Sequence, residues 1–155
     1  MPTRGRAVVE VLAPDIVSVA RGWLGTPHHD QASVKGVGCD CAGLVAGVAR
    51  ECGLAELGRD LIDAMHSYNP TKIDEALLKI GLGRHCDRIK AIEPGAVLLW
   101  KVGRPLKAQH LAIASDGGRM IHCWGKGQHT QKVIEVPIGQ GRLELLDSIW
   151  RFRHG

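Results

Sequence analysis

The 155-residue sequence contains no run of about 18 apolar residues, the length that a membrane-spanning helix needs. It also lacks any cluster of Lys and Arg, and its net charge of +4 is spread along the chain. Composition therefore favours neither membrane insertion nor nucleic-acid binding, although a mildly basic surface also suits other anionic polymers. The N-terminal apolar stretch is short and interrupted by Glu10 and Pro14, so we expect no secretory signal peptide and synthesis in a cytoplasm.

A disulfide framework is also missing. The five cysteines are odd in number and irregularly spaced, so reduced and mostly buried thiols are expected. The sequence shows no internal repeat and no low-complexity linker. With 155 residues it predicts a single domain over residues 1–155.

Three helices are predicted. Apolar residues at helical spacing favour a first helix of about ten residues, with Asp15 as its N-cap and Gly25 after its end. A second helix begins near Cys41 and stops at Gly53. A third is expected over residues 71–80, since Thr71 and Asp74 resemble a capping box and Gly81 follows. Residues 55–70 carry no clear pattern.

Two glycines interrupt the second predicted helix. Gly43 and Gly47 each cost about 1 kcal/mol of helix propensity relative to alanine. Their presence predicts that other parts of the molecule pack very closely against this helix.

The sequence after Pro94 consists of short β-rich segments separated by turn signals such as "SDGG". The five segments are "AVLLWK", "HLAIAS", "RMIHCW", "KVIEVPI" and "SIWRFR". The predicted fold class is α+β, with N-terminal helices and an antiparallel sheet of about five strands, against which the second helix packs.

The stretch "GVGCDCAGLV" allows two kinds of site. Cys39, Cys41, His28 and His29 supply enough donors for zinc, but the CxC spacing is unusual and no second cysteine pair follows. Alternatively, Asp40 caps the second helix and Cys41 lies in its first turn. There the helix dipole favours a thiolate, and exposed N–H groups can hold an oxyanion.

A nucleophilic cysteine needs a base, and two histidines are candidates for this role. His110 opens one predicted strand and His122 lies in the next, 12 residues on, across the "SDGG" turn. Antiparallel pairing can bring the two side chains together, so that His122 orients the ring of His110. Cys41, His110 and His122 then form a set of nucleophile, base and orienting group.

These segments resemble the NlpC-type cell-wall cysteine peptidases. "DCAGLV" is similar to the family's nucleophile motif, "QHLAIAS" to its base motif and "MIHCW" to its third polar position. The resemblance covers about residues 16–125. It implies a papain-like fold, with catalysis by Cys41, His110 and His122 and without a metal or organic cofactor. It also implies hydrolysis of amide bonds in peptidoglycan stem peptides, often between D-glutamate and the diamino acid.

The unit "KGVGCDC" more narrowly resembles the branch of this family encoded with tail genes of phages and gene transfer agents. That branch implies tail hub or tail-tip proteins as partners, synthesis in a bacterial cytoplasm, and action in the periplasm from a particle tail. A peptidoglycan amidase on a related fold, a catalytically weak tail-tip subunit and a zinc-binding module are the alternatives.

Two positions depart from the family pattern. His28 stands where the family has a tyrosine near the active site, and Ala96 replaces an aspartate in a turn. A neutral imidazole can donate the tyrosine's hydrogen bond, so His28 is a candidate for the oxyanion or substrate site together with Asp40. His29 is adjacent and could face the cleft in its place. The change at Ala96 implies little for the chemistry.

Overall fold

The structure is a computed structural model that describes residues 13–65, 74–125 and 131–153. The helices are Ala13–Arg21 (α1), Cys41–Glu51 (α2), Ala55–Met65 (α3) and Glu75–His85 (α4). The strands are Ser33–Val34 (β1), Gly38–Cys39 (β2), Cys86–Ile89 (β3), Val97–Val102 (β4), Lys107–Ala114 (β5), Arg119–Cys123 (β6), Val133–Pro137 (β7) and Leu146–Phe152 (β8). A 3₁₀ helix spans Gln140–Leu145.

One antiparallel sheet organises the molecule, with the strand order β3-β8-β4-β5-β6-β7. Side chains on one face of this sheet, including Leu111 and Ile113 of β5, join the larger core formed with α2 and its neighbouring helices. Side chains on the other face form a smaller core that the 3₁₀ helix and its flanks border. The predicted α+β fold with α2 packed on the sheet is confirmed, and all five predicted strands are present.

Local chemistry fixes the start of α2. The Asp40 side chain accepts a hydrogen bond from the Gly43 N–H at 2.8 Å, as an N-cap does. Close packing against the two glycines is also confirmed. A Cβ atom on Gly43 would lie 1.8 Å from the Ala32 carbonyl oxygen, and one on Gly47 would lie 2.1 Å from the Trp23 ring. These contacts let α2 approach its surroundings more closely than alanine would allow.

Several predicted boundaries differ from the structure. Asp15 is not the N-cap of α1, because the helix begins at Ala13 and tolerates Pro14 in its first turn. The predicted capping residue Thr71 lies outside the described residues, and Asp74 caps α4 instead, accepting from the Leu77 N–H at 3.1 Å. The predicted end at Gly81 is wrong, because α4 continues to His85.

Several elements were not predicted. Helix α3 lies in the stretch without a clear pattern, and the short β1–β2 pair lies between the first two predicted helices. Strand β3 adds a sixth member to the main sheet, at its edge beside β8. Among the described residues, the helices are all too short or too polar to cross a membrane.

Candidate active site

Cys41 is the first residue of α2, and its sulfur lies against the backbone of β5. The thiol donates a hydrogen bond to the Gln109 carbonyl oxygen at 3.7 Å, and the Leu111 N–H also bonds to the sulfur. The pairing of β5 with β6 runs through Ile113 and Ala114 and stops before this point. The nucleophile candidate is therefore held beside the two residues that flank His110.

His110 and His122 meet directly, as their spacing predicts. The Nε2 atom of His110 and the Nδ1 atom of His122 are 2.8 Å apart, and both side chains are buried. The Trp124 ring contacts the His110 ring edge-on, with a centroid distance of 4.7 Å. The His110 ring is therefore fixed by a hydrogen bond on one side and by an aromatic contact on another.

This hydrogen bond determines which nitrogens can accept a proton. If His110 donates its Nε2–H to Nδ1 of His122, then Nδ1 of His110 is unprotonated and can act as a base. If His122 instead donates its Nδ1–H to Nε2 of His110, the proton of neutral His110 lies on Nδ1, and His110 cannot act as a base there. The base role of His110 therefore requires His122 to accept through Nδ1 and to carry its own proton on Nε2.

The resting groups are neutral. Burial raises the pKa of the Cys41 thiol to about 12, and the negative charge of Asp40 adds to that shift. Burial lowers the pKa of His110 to about 3, with further contributions from His122 and Arg142. Burial and Arg142 lower the pKa of His122 to about 4. In this conformation burial therefore opposes the thiolate that the helix start was expected to favour.

Asp40 is committed to structure. Its carboxylate accepts hydrogen bonds from the Gly43 N–H and from the Gln31 N–H at 2.9 Å, while its own N–H donates to the Ala32 carbonyl oxygen at 3.2 Å. Burial raises the pKa of this carboxyl group. The bonded N–H makes Asp40 a poor oxyanion donor in this conformation, so the geometry supports a role in holding the helix start.

His28 and His29 differ in their surroundings. The His28 imidazole is half-buried and packs against Gly125, where a Cβ atom would lie 2.7 Å from His28 Cε1. His28 Nε2 also lies 3.7 Å from an Asp30 carboxylate oxygen. His29 is exposed, and its Nδ1 bonds to the Asp30 carbonyl oxygen at 3.1 Å. Of the two, His28 is the one packed against the chain that leaves β6, just after His122.

The cysteines do not gather around a common centre with these histidines. Cys39 is fully buried on β2, and its carbonyl oxygen accepts a hydrogen bond from the Cys123 thiol at 3.2 Å. Within residues 13–65, 74–125 and 131–153, no group of three or more His, Cys, Asp or Glu side chains is arranged to hold a metal ion.

Two further residues at the histidine pair were not predicted. Trp100 of β4 stands opposite His110 in the sheet register, and Arg142 of the 3₁₀ helix acts electrostatically on both imidazoles. The segment "AVLLWK" predicts a strand, but nothing in it indicates that Trp100 lies opposite His110. Arg142 lies 20 residues beyond His122, and no sequence pattern links the two.

No protein-family model matches the sequence, and no curated protein matches it either. Solved structures do match. An NlpC/P60 family protein from Bacillus cereus ATCC 10987 superposes with a TM-score of 0.60 at 18% identity, covering 92% of this chain and 40% of that one. The NlpC/p60 domain of the peptidoglycan hydrolase SagA has a TM-score of 0.56 at 21% identity, covering 90% of this chain and 97% of that domain.

A third match is the peptidoglycan hydrolase RipB from Mycobacterium tuberculosis, with a TM-score of 0.56 at 15% identity. It covers 91% of this chain and 65% of that one. The chain thus spans about two fifths of the Bacillus cereus structure and nearly all of the SagA domain. At these identities the matches show the fold, which is the papain-like NlpC/P60 fold predicted from the motifs.

Proposed function

We propose that this chain is a cysteine peptidase that hydrolyses amide bonds in the stem peptides of peptidoglycan. The observation that carries the proposal is the joint placement of three side chains on this fold. The Cys41 thiol is held beside the backbone on both sides of His110, and His110 is bonded to His122. Two of the structural neighbours are peptidoglycan hydrolases, which supports the choice of substrate.

In the proposed reaction, a neutral thiol gives its proton to a neutral base. As the Cys41 sulfur attacks the scissile carbonyl carbon, its proton moves to Nδ1 of His110, and His122 stabilises the imidazolium by accepting from Nε2. The tetrahedral intermediate then expels the amine, which takes the proton from His110. Water, deprotonated by the same imidazole, hydrolyses the thioester and regenerates the thiol.

The oxyanion needs donors at the start of α2. The Gly43 N–H is already bonded to the Asp40 side chain and the Leu44 N–H to the Asp40 carbonyl oxygen. We therefore assign the oxyanion to the N–H of Cys41, with the imidazole of His28 as the second donor. This assignment keeps His28 in the role predicted from the replaced tyrosine, and it leaves the bonded N–H of Asp40 out of the oxyanion site.

Motif resemblance supports a finer proposal. The scissile bond is the one between D-glutamate and the diamino acid, and the enzyme works from the tail of a phage-like particle or gene transfer agent. Its partners there are tail hub or tail-tip proteins, and it reaches the periplasm with the particle. The motif "KGVGCDC" is the support for this setting. Detection of the chain in purified particles by mass spectrometry tests the setting independently of the reaction.

Digestion of purified peptidoglycan, with mass spectrometry of the released fragments, tests the reaction. We expect fragments with a new free amine on the diamino acid and a new carboxyl group on D-glutamate. Cleavage at the sugar–peptide link would show an amidase instead. Undigested peptidoglycan, with the folded wild-type protein present, would contradict the proposal altogether.

A further inference from the structure

A cavity of about 650 Å³ lies on the face of the sheet that points away from the larger core. Ligand sites of small organic molecules have volumes of roughly 300–1,000 Å³, so the cavity is of suitable size. Its walls are mostly apolar. The apolar lining includes Trp100, Met120, Trp124, Ile134, Val136 and Leu145.

His110 and His122 close one end of this cavity, whereas Cys41 is absent from its described lining. The cavity therefore borders the imidazole pair from a different direction than the thiol does. A molecule bound there would contact the histidines without occupying the position from which a substrate carbonyl meets the sulfur.

One lining residue, Trp100, carries a buried hydrogen-bond donor that lacks an acceptor among the described residues. Trp100 is only 5% exposed, and its Nε1–H is buried without a hydrogen-bond partner in the described part of the chain. Buried donors without an acceptor are uncommon in native proteins, because burial removes the water that would otherwise bond to them. The Nε1 atom has almost no accessible surface, so a molecule in the cavity contacts the Trp100 ring and changes the surroundings of this donor without bonding to it.

Positive charge accompanies this donor. Arg142 and Lys101 line the cavity, and no carboxylate is found among the described residues that do so. Arg142 is exposed, and its charge acts on both His110 and His122. The tautomer that makes His110 a base also leaves a proton on His122 Nε2. The cavity thus combines apolar walls with donors and cations, and a carboxylate is the group that complements them.

We propose that this cavity binds an aliphatic carboxylate. The hydrocarbon chain packs against the apolar walls, including the Trp100 ring, and the carboxylate bonds to Arg142 and to His122 Nε2–H. This site differs from the position of the stem peptide at Cys41 and does not depend on it. Peptidoglycan stems are polar and would gain little from such walls, so the ligand is a distinct molecule.

Binding of decanoate to the ¹⁵N-labelled protein, followed by NMR, tests this proposal. We expect the indole N–H resonance of Trp100, identified by its absence from Trp100→Phe, to shift on saturation with decanoate. The Arg142→Gln variant should bind decanoate about tenfold more weakly or worse, because a charge-assisted hydrogen bond is lost. Arg59→Gln removes an equally exposed arginine on α3 and should leave the affinity unchanged.

Three results would overturn the proposal: no shift at Trp100 with decanoate at millimolar concentration, equal affinity in Arg142→Gln, or equally tight binding of decanol, which lacks the charge. If Trp100→Phe does not fold, backbone-linked assignment identifies the resonance, and Arg142→Gln carries the test because Arg142 is exposed. The measurement involves no hydrolysis. Its failure would leave the peptidase proposal intact, and an inactive peptidase could still bind decanoate.

Discussion

The thiol of Cys41 retains its proton at neutral pH, because burial raises its pKa to about 12. His110, with a pKa lowered to about 3, does not carry a positive charge that could stabilise a thiolate. Both groups are thus neutral in this conformation. In the proposed reaction, attack on substrate and proton transfer to His110 would therefore take place together.

Alkylation of the ligand-free protein tests the protonation state of Cys41. The thiolate is the reactive species, so the rate of Cys41 modification by iodoacetamide should rise about tenfold per pH unit between pH 7 and 10. Mass spectrometry of the Cys41 peptide measures this rate, and Cys41→Ser gives the background. A rate of modification that is already independent of pH near pH 7 would show a lowered thiol pKa. It would contradict a protonated Cys41 at neutral pH.

The two histidines should contribute unequally to hydrolysis. His110→Ala removes the base and should lower kcat/KM on a stem-peptide substrate by about 10²–10⁴. His122→Gln keeps an oxygen that can accept the hydrogen bond from His110 Nε2–H, so its loss should be smaller. The assignment of His110 as base is wrong if His110→Ala retains its activity while the folded state is preserved.

At the scale of elements, α2 depends on close contacts that only glycine permits. Gly43→Ala and Gly47→Ala should each lower the free energy of unfolding by about 1–3 kcal/mol, because the new methyl group meets the Ala32 carbonyl or the Trp23 ring. Gly83→Ala in α4 is the matched control, since a Cβ atom there meets nothing within 4 Å. It should raise stability by up to about 1 kcal/mol.

Urea unfolding of the three glycine variants measures these differences. The expected order of stability is Gly83→Ala above wild type, with Gly43→Ala and Gly47→Ala below it. Equal effects of all three substitutions would mean that helix propensity alone determines the change in the free energy of unfolding. The close contacts of Gly43 and Gly47 would then not affect stability.

Elements with strong local signals could be predicted from the sequence. Helix α2 has a capping aspartate before an apolar run, and β4 to β8 alternate with clear turn signals, so each was found. Helix α3 was missed, although Leu57 and Leu61 are fully buried and lie four residues apart on one face. Strand β3 reads "CDRI" and gains its structure from pairing with β8, more than 50 residues later. Such pairing leaves no local pattern.

At the scale of the whole molecule, burying two neutral imidazoles makes stability depend on pH. Both histidines titrate near 6.5 when unfolded, but their pKa values fall to about 3 and about 4 in the folded protein. Below pH 6.5 the unfolded chain therefore binds protons that the folded chain does not. The free energy of unfolding should fall as pH decreases, by up to about 1.4 kcal/mol per pH unit for each imidazole.

Urea unfolding between pH 7.5 and 5 checks this dependence. Glu135, whose pKa is lowered to about 2 chiefly by its bond to Arg21, affects stability only below about pH 4.5, outside this window. His122→Gln removes one of the two groups and should reduce the slope by about half. A stability that stays constant from pH 7.5 to 5 would show that the imidazoles are protonated or exposed in the folded state.

Some properties of the candidate site depend on packing between segments that are distant in the sequence. The pairing of His110 with His122 was predictable, because a short turn joins their strands. The neutral state of these groups was not, since it arises from burial by β4, the 3₁₀ helix and Trp124, which lie far apart in the sequence. For the same reason, the cavity beside Trp100 and Arg142 left no signal in any one segment.

The central claim is that Cys41, and not the neighbouring Cys39, attacks the stem peptide. Initial rates of peptidoglycan digestion by Cys41→Ala and Cys39→Ala, each checked for folding by circular dichroism, test it most directly. Cys39 is buried on β2 with its carbonyl bonded to Cys123, so we predict that Cys39→Ala keeps most of the wild-type rate, whereas Cys41→Ala has none. Equal loss in two folded variants, or activity without Cys41, would contradict the account.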